Sequence, residues 1–441
     1  MPPTSRAGAL SARLLIVTSA LPYLALPLGS STNLPLSTVL AGWLLLRNAH
    51  RVRLMAYTAL LLLLPLLAAG LRMFFSPEPF SIAGQLTWML YSLPLPAMAV
   101  AVLVLREKLL PWLAWTITAS AGIALLQKFL YLDRGVVPWL WAYDAPGYAS
   151  VRELAPLLAE YVRRPFGLFP ESSFMAGTLA MMVTGLIVIE RRFSGTVGRA
   201  GLLAALCACA AIAVSGSGTS LVALCLILAA LLGPLALRRP TVAIFLLPPV
   251  VLAACWFGIT SLSARTGSFN WSWADRTASL VGSMRLLFSD PTILLLGIGR
   301  GQSTVYFSEN RVPLLGLERY NQLSDIFSVL GRIVLENGVL FGLPLVLIMA
   351  LLIGSGGVSR RPLENLVALA ALGCWLIAAG VAISYDSAFW IFGLPGLFLG
   401  LRLLDPVATS SRTSAAATAG SDPGTTTSLP PEEKNAYPAY R

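Results

Sequence analysis

Charge is scarce in this 441-residue sequence: Asp, Glu, Lys and Arg make up 12% of it, against about a quarter in an ordinary water-soluble protein. That shortage excludes an aqueous enzyme. Histidine is nearly absent, His50 being the single one. No His-rich zinc or iron site can be assembled, and a Ser-His-Asp arrangement would depend on His50 alone. The five cysteines (Cys207, Cys209, Cys225, Cys255 and Cys374) all fall within apolar runs, which suits small buried hydrophobes rather than disulfides or metal ligands. Cys207 and Cys209 are two apart and point to different helix faces. Lysine is also rare: Lys108, Lys128 and Lys434 are the only ones among 31 basic residues. The formal net charge of +11 does not indicate nucleic acid, because the basic residues come in ones, twos and threes between apolar runs.

What the sequence has in abundance is long uncharged apolar stretches, the mark of membrane-spanning helices. They predict helices at about 14–29, 34–46, 54–73, 81–105, 109–131, 172–189, 200–215, 219–237, 240–262, 326–353, 363–384 and 387–404. The fold class expected is therefore an all-α polytopic membrane protein with about twelve spans over 1–404. The first run, behind Arg6 and Arg13, lacks a small-residue cleavage site and reads as a retained helix rather than a signal peptide. The short run at 34–46 is flanked by proline.

Basic clusters test this count. Arg47, Arg51 and Arg53, then Arg106 and Lys108, Arg191 and Arg192, Arg238 and Arg239, and Arg360 and Arg361 all occupy alternate connections. Basic short loops stay on the cytoplasmic side, so the expectation is twelve spans with both termini inside. Two long polar segments, 132–170 and 263–323, then face outward. The segment 405–441, rich in Ser, Thr, Ala and Pro, predicts a disordered cytoplasmic tail. No repeat of 20 to 50 residues is visible.

Four places could carry chemistry. The first is Arg163-Arg164-Pro165-Phe166-Gly167-Leu168-Phe169-Pro170-Glu171-Ser172-Ser173-Phe174, where the first outer segment re-enters the membrane. Pro170 and Glu171 suit a helix start on structural grounds alone. The functional reading adds that a carboxylate and two guanidiniums meet at the outer membrane edge, where Glu171 could orient or deprotonate a sugar hydroxyl. The second is the outer segment from Arg276 to Gln302. It begins as an amphipathic helix on which Arg276 and Arg285 would not share a face, and it holds a Gly297-x-Gly299-x-Gly301 stretch that reads as a flexible turn. The third, Ser215 to Ser220, reads as a tight hairpin turn. The fourth is Asp325 followed by Arg332, Glu336, Asn337 and Gly338; Arg332 and Glu336 are four apart and can pair on one helix. Ionisable residues at membrane depth are costly and face protein or a wet cavity.

Together these pieces resemble the O-antigen ligase and Wzy polymerase superfamily of bacterial envelope glycosyltransferases. Arg164 to Phe174 resembles the Wzy stretch R-x-x-G, aromatics, E-P-S-F, with Ser172 where proline is usual. Arg276 to Gly301 is similar to the family's arginine, amphipathic helix and P-x-x-G-x-G element, and Ser324 to Gly342 to its element ending in E-x-G-(x)-x-G. The motifs span roughly 160–345, and the twelve-span layout extends the likeness to the whole chain. The resemblance implies a GT-C-like fold with two periplasmic segments in the bacterial inner membrane. It also implies transfer of an oligosaccharide from undecaprenyl diphosphate to a sugar hydroxyl, with no cofactor, nucleotide sugar or metal. Partners would be the lipid-linked oligosaccharide, membrane lipid, a chain-length regulator and a flippase.

On this reading Glu171 and Arg276 are catalytic and Asp325 is the second candidate base, while Arg163, Arg164, Arg285 and Arg300 bind diphosphate or glycan. Ligases carry Arg in the turn that here reads Ser217-Gly218-Thr219 and His in the second outer loop, which has none. A Wzy-type polymerase of exopolysaccharide or O-antigen repeat units fits better. Ligase-type transfer to another acceptor and a lipid-linked oligosaccharide flippase remain the alternatives.

Overall fold

A computed structural model describes residues 6–22, 24–27, 33–75, 82–138, 164–169, 171–238, 271–300, 302, 306, 328–355, 362–382 and 389–404. Contacts divide the chain into a body from Met1 to Leu401 and a unit from Arg402 to Arg441. The helix expected at 240–262 and the tail at 405–441 lie outside the described residues.

The first departure from the sequence pattern is at the start. Helix α1 is Arg6–Thr18 rather than 14–29, and a small antiparallel hairpin follows, β1 (Ala25–Pro27) with β2 (Asn33–Pro35), pairing Ala25 with Pro35 and Leu26 with Leu34. Pro22 and Pro27 explain the shift, since each lacks the amide that a continuing helix needs and disfavours helical backbone just before it. Helix α2 (Leu36–Arg47) and α3 (Val52–Phe75) follow the pattern. The run at 81–105 becomes α4 (Ile82–Ser92) and α5 (Pro94–Leu105), broken at Pro94. Helix α6 (Leu109–Leu126) continues as a π turn, Gln127–Tyr131.

Beyond the segment 132–170 come α7 (Ser172–Ser194), α8 (Arg199–Val214) and α9 (Gly218–Arg238). The segment 263–323 contributes α10 (Trp271–Leu287) and α11 (Pro291–Leu296), and α12 (Val329–Asn337) opens the apolar run predicted at 326–353. A π turn, Gly338–Gly342, joins α12 to α13 (Leu343–Ser355). Helix α14 (Pro362–Ile377) ends in a further π turn, Ala378–Ala382, and α15 (Phe389–Leu404) follows.

Four helical stretches are long and apolar enough to cross a membrane: Thr58–Phe75, Gly84–Arg134, Ser172–Ser194 and Val329–Ser355. Six shorter apolar helices accompany them among the described residues. The chain is a helical membrane protein.

Helices apolar on every side belong in the centre, and three of these are buried there. Residues Pro94–Leu103 of α5, Ser173–Ile187 of α7 and Trp390–Leu401 of α15 are buried throughout. Small residues allow their close approach: a side chain at Gly396 or Gly400 of α15 would strike the α5 backbone at Leu95 or Ala99, and Gly185 of α7 meets Leu394 and Leu397. Helices α1 and α2 pack on α5, and α6, α8, α9 and α14 surround α7. The Trp390 indole donates to Ser19 Oγ at 3.0 Å, tying α15 to the end of α1. Trp390→Phe is expected to cost about 1 to 3 kcal/mol through the lost bond and the gap left behind. An unchanged thermal unfolding midpoint in detergent would contradict that.

Candidate functional site

The Gly297–Arg300 segment is held rather than flexible, which corrects the sequence expectation for that stretch. Asp290 begins the local structure by capping α11, accepting from the amides of Thr292 (2.6 Å) and Ile293 (3.4 Å). The Thr292 amide, with its hydroxyl and the Ile293 amide, holds the Asp290 carboxyl below its ordinary range. The sign follows: this cap is complete above the unfolded value near 4 and is lost as pH falls through the lowered one.

After α11 the chain turns through Gly297 (φ 76°) and Gly299 (φ 84°) and lies along the end of α12. The Ile298 amide donates to the Leu335 carbonyl at 2.9 Å, and the Gly299 amide to the Glu336 carbonyl at 3.0 Å. Gly297 and Gly338 sit back to back, each filling space that a side chain on the other would need. Beneath this strap Leu286, Leu287, Ile298, Tyr306 and Leu335 form a small apolar core.

The strap delivers Arg300 to Glu336. Arg300 Nη1 donates to Glu336 Oε2 at 2.7 Å, and Arg332 Nε donates to Oε1 at 3.0 Å, the pair expected from their spacing. The Glu336 side chain has no exposed surface, and those of Arg300 and Arg332 are 6% and 15% exposed. A third guanidinium joins from the last turn of α3. Arg72 is buried, its Nη2 donates to the Tyr306 hydroxyl at 3.3 Å, and its Nη1 is the atom a side chain at Gly299 would meet. Two guanidiniums thus share one carboxylate at the end of the strap, and a third guanidinium with a phenol stands beside Gly299 of the same strap. Guanidiniums are the side chains suited to holding an anionic oxygen ligand.

The first motif is placed beside other elements. Glu171 is the N-cap residue of α7, with extended backbone (φ −146°, ψ 151°), and its side chain makes no capping bond. Its carbonyl instead receives the amides of Phe174 and Met175, both at 3.1 Å. Helix capping therefore does not account for the carboxylate. The Arg164 side chain lies against Gly216 in the turn between α8 and α9. In that turn Ser215 and Ser220 share a hydrogen bond of 2.5 Å, so the turn expected at Ser215–Ser220 is there. The Phe166 and Gly167 amides donate to the side-chain carbonyl of Gln127, at 2.8 and 2.7 Å.

Of the residues expected to act, Arg300 alone enters the Glu336 cluster. Glu171 sits at the start of α7, and Arg164 lies beside the α8–α9 turn. Arg276 and Arg285 ride on one uninterrupted helix, α10; nine residues at 100° each set them on opposite sides, about 13 Å apart along the axis. Arg163 and Asp325 lie outside the described residues. Sequence reasoning missed Arg72 and Gln127. A charge in the last turn of an otherwise uncharged run was the available signal for Arg72, and a lone amide in an apolar helix for Gln127.

At another place the basic short connections meet. Arg51, before α3, is close enough to Arg106 that burial and the neighbouring positive charge together lower its pKa. Arg106 ends α5 with φ 49°, a left-handed backbone that is otherwise confined to glycine among the described residues. Arg13 of α1 lies over the Trp112 ring at 5.4 Å.

No family model, no curated protein and no solved structure matches this chain.

Proposed function

We propose that the chain is a membrane glycosyltransferase that polymerises undecaprenyl-diphosphate-linked oligosaccharide repeat units into exopolysaccharide or O-antigen. The reading places it in the bacterial inner membrane with about twelve spans, a GT-C-like layout, both termini cytoplasmic and the active site facing the periplasm. The observation that supports it most is the pairing of Arg300 and Arg332 with Glu336 at the end of a strap that also has Arg72 and Tyr306 beside it, in a chain otherwise so poor in charge.

In this reaction an acceptor sugar hydroxyl forms a new C–O bond at the anomeric carbon of the donor glycan. The bond from that carbon to the diphosphate oxygen breaks, and undecaprenyl diphosphate leaves with the electron pair. Charge builds on the leaving oxygen, and prepositioned guanidiniums are the groups that stabilise it. Glu171, which has no capping duty, takes the acceptor proton. Arg276 and Arg285, on opposite sides of α10, meet the substrate at two places, one at the diphosphate and one at the glycan. Arg163 and Arg164 serve the same anionic substrate.

Purified protein given lipid-linked repeat units, with no energy source, is expected to make a ladder of longer products. Glu171→Gln and Arg276→Ala are each expected to lower polymer yield by about 10²-fold or more. Wild-type ladders from both variants would end this assignment. A single transferred product on a different acceptor would indicate a ligase, and movement of the lipid-linked glycan across vesicles without any ladder a flippase.

A further inference from the structure

Gln127 has no part in the chemistry just described, yet it is completely buried where α6 passes into its π turn. Its side-chain oxygen takes two consecutive backbone amides from a segment about forty residues away, Phe166 at 2.8 Å and Gly167 at 2.7 Å. Its Nε2 atom is buried with no hydrogen-bond partner among the described residues, which leaves the oxygen as the atom that holds the side chain there. Two adjacent amides aimed at one acceptor fix both the position and the tilt of the peptide between them. Gly167 needs its left-handed backbone there (φ 60°), with Ala124 and Met175 closing the space where a side chain would stand. The pinned dipeptide lies between Arg164, two residues before Phe166, and Glu171, four residues after Gly167. π turns within helices recur at functional sites because the extra residue re-aims a side chain.

We infer that Gln127 is a positioning residue: its carbonyl sets the 164–169 segment, and through it the placement of Arg164 and Glu171 against the lipid-linked substrate. The inference rests on the reading of Glu171 proposed above. What the position requires is an acceptor, not an amide. Glutamate at 127 supplies a carboxylate oxygen for the same two amides, whereas alanine leaves both buried N–H groups without one. Misplacement of a reacting group by about 1 Å costs on the order of 10²-fold in rate.

The test pairs hydrogen exchange with rate, using Gln127→Ala and Gln127→Glu in the full-length protein in detergent. Exchange at the Phe166 and Gly167 amides is expected to accelerate at least tenfold in Gln127→Ala and to stay near wild type in Gln127→Glu. With lipid-linked repeat units, kcat is expected to fall ten- to a hundredfold in Gln127→Ala with KM little changed, and to recover in Gln127→Glu. In a Glu171→Gln background the alanine change is expected to cost clearly less than it does in the wild type, because one of the two groups it displaces has already been disabled and only the Arg164 part remains. Unchanged exchange in Gln127→Ala overturns the inference. So does accelerated exchange with full activity while Glu171→Gln is impaired, or an undiminished alanine effect in the Glu171→Gln background. Full activity in Glu171→Gln itself fails the reading of the site, and the inference falls with it.

Discussion

Glu336→Ala is expected to destabilise the protein by about 3 to 5 kcal/mol, enough to remove most of the folded material recovered in detergent. The reason is the arrangement around the carboxylate. Both of its oxygens are engaged, one by Arg300 and one by Arg332, and neither the acid nor Arg300 has much exposed surface. Removing the acid leaves two guanidiniums facing each other in a poorly hydrated place, and neither can shed its proton. Arg300 also ends the strap that is bonded through Ile298 and Gly299 to the last turn of α12, so its displacement loosens the small core beneath.

A companion variant separates the worth of the ion pair from the cost of breaking it. Replacing Arg300 and Arg332 with Met and Glu336 with Leu together removes the carboxylate and both guanidiniums that share it, and should recover much of the thermal unfolding midpoint lost in Glu336→Ala. That triple variant should still make no polymer if these guanidiniums hold the diphosphate. A wild-type midpoint for Glu336→Ala would show that solvent reaches this carboxylate freely, against its burial.

Local pattern made most of the helices legible. The apolar runs predicted α2, α3, α6 to α9 and α12 to α15 within a few residues, because apolar runs of this length admit few other structures. The spacing of four between Arg332 and Glu336 likewise carried their pairing. What the sequence could not show depends on contacts far apart in the chain. Arg300 reaches Glu336 across 36 residues, Arg72 meets Tyr306 across 234, and Gln127 meets Phe166 across 39. The error at α1 was of another kind, since Pro22 and Pro27 were present and an apolar run was followed through them. At the strap, Gly297 and Gly299 read as freedom in isolation, whereas against α12 they are the condition for close approach.

Gly338→Ala is expected to cost about 2 to 5 kcal/mol and nearly all activity, while Gly195→Ala, a change at a similar backbone angle, costs no more than about 2. Gly338 has φ 70° and Gly195 has φ 73°, so the strain of a side chain on a left-handed backbone is common to both. The surroundings differ. At Gly195, which ends α7, nothing stands where the methyl group would go. At Gly338 the methyl group would land on the Leu295 carbonyl and the Gly297 amide. These are backbone atoms, and their segment is fastened by the Ile298–Leu335 and Gly299–Glu336 bonds, so they cannot swing aside as a flexible side chain would. Relief requires the strap to lift, weakening both bonds and moving Arg300 away from Glu336. Activity should therefore fall further in Gly338→Ala than in a variant away from the strap that is chosen to lose the same unfolding midpoint. Equal losses of midpoint in the two glycine variants would mean that only backbone strain matters, and that the strap is not pressed against α12 as described.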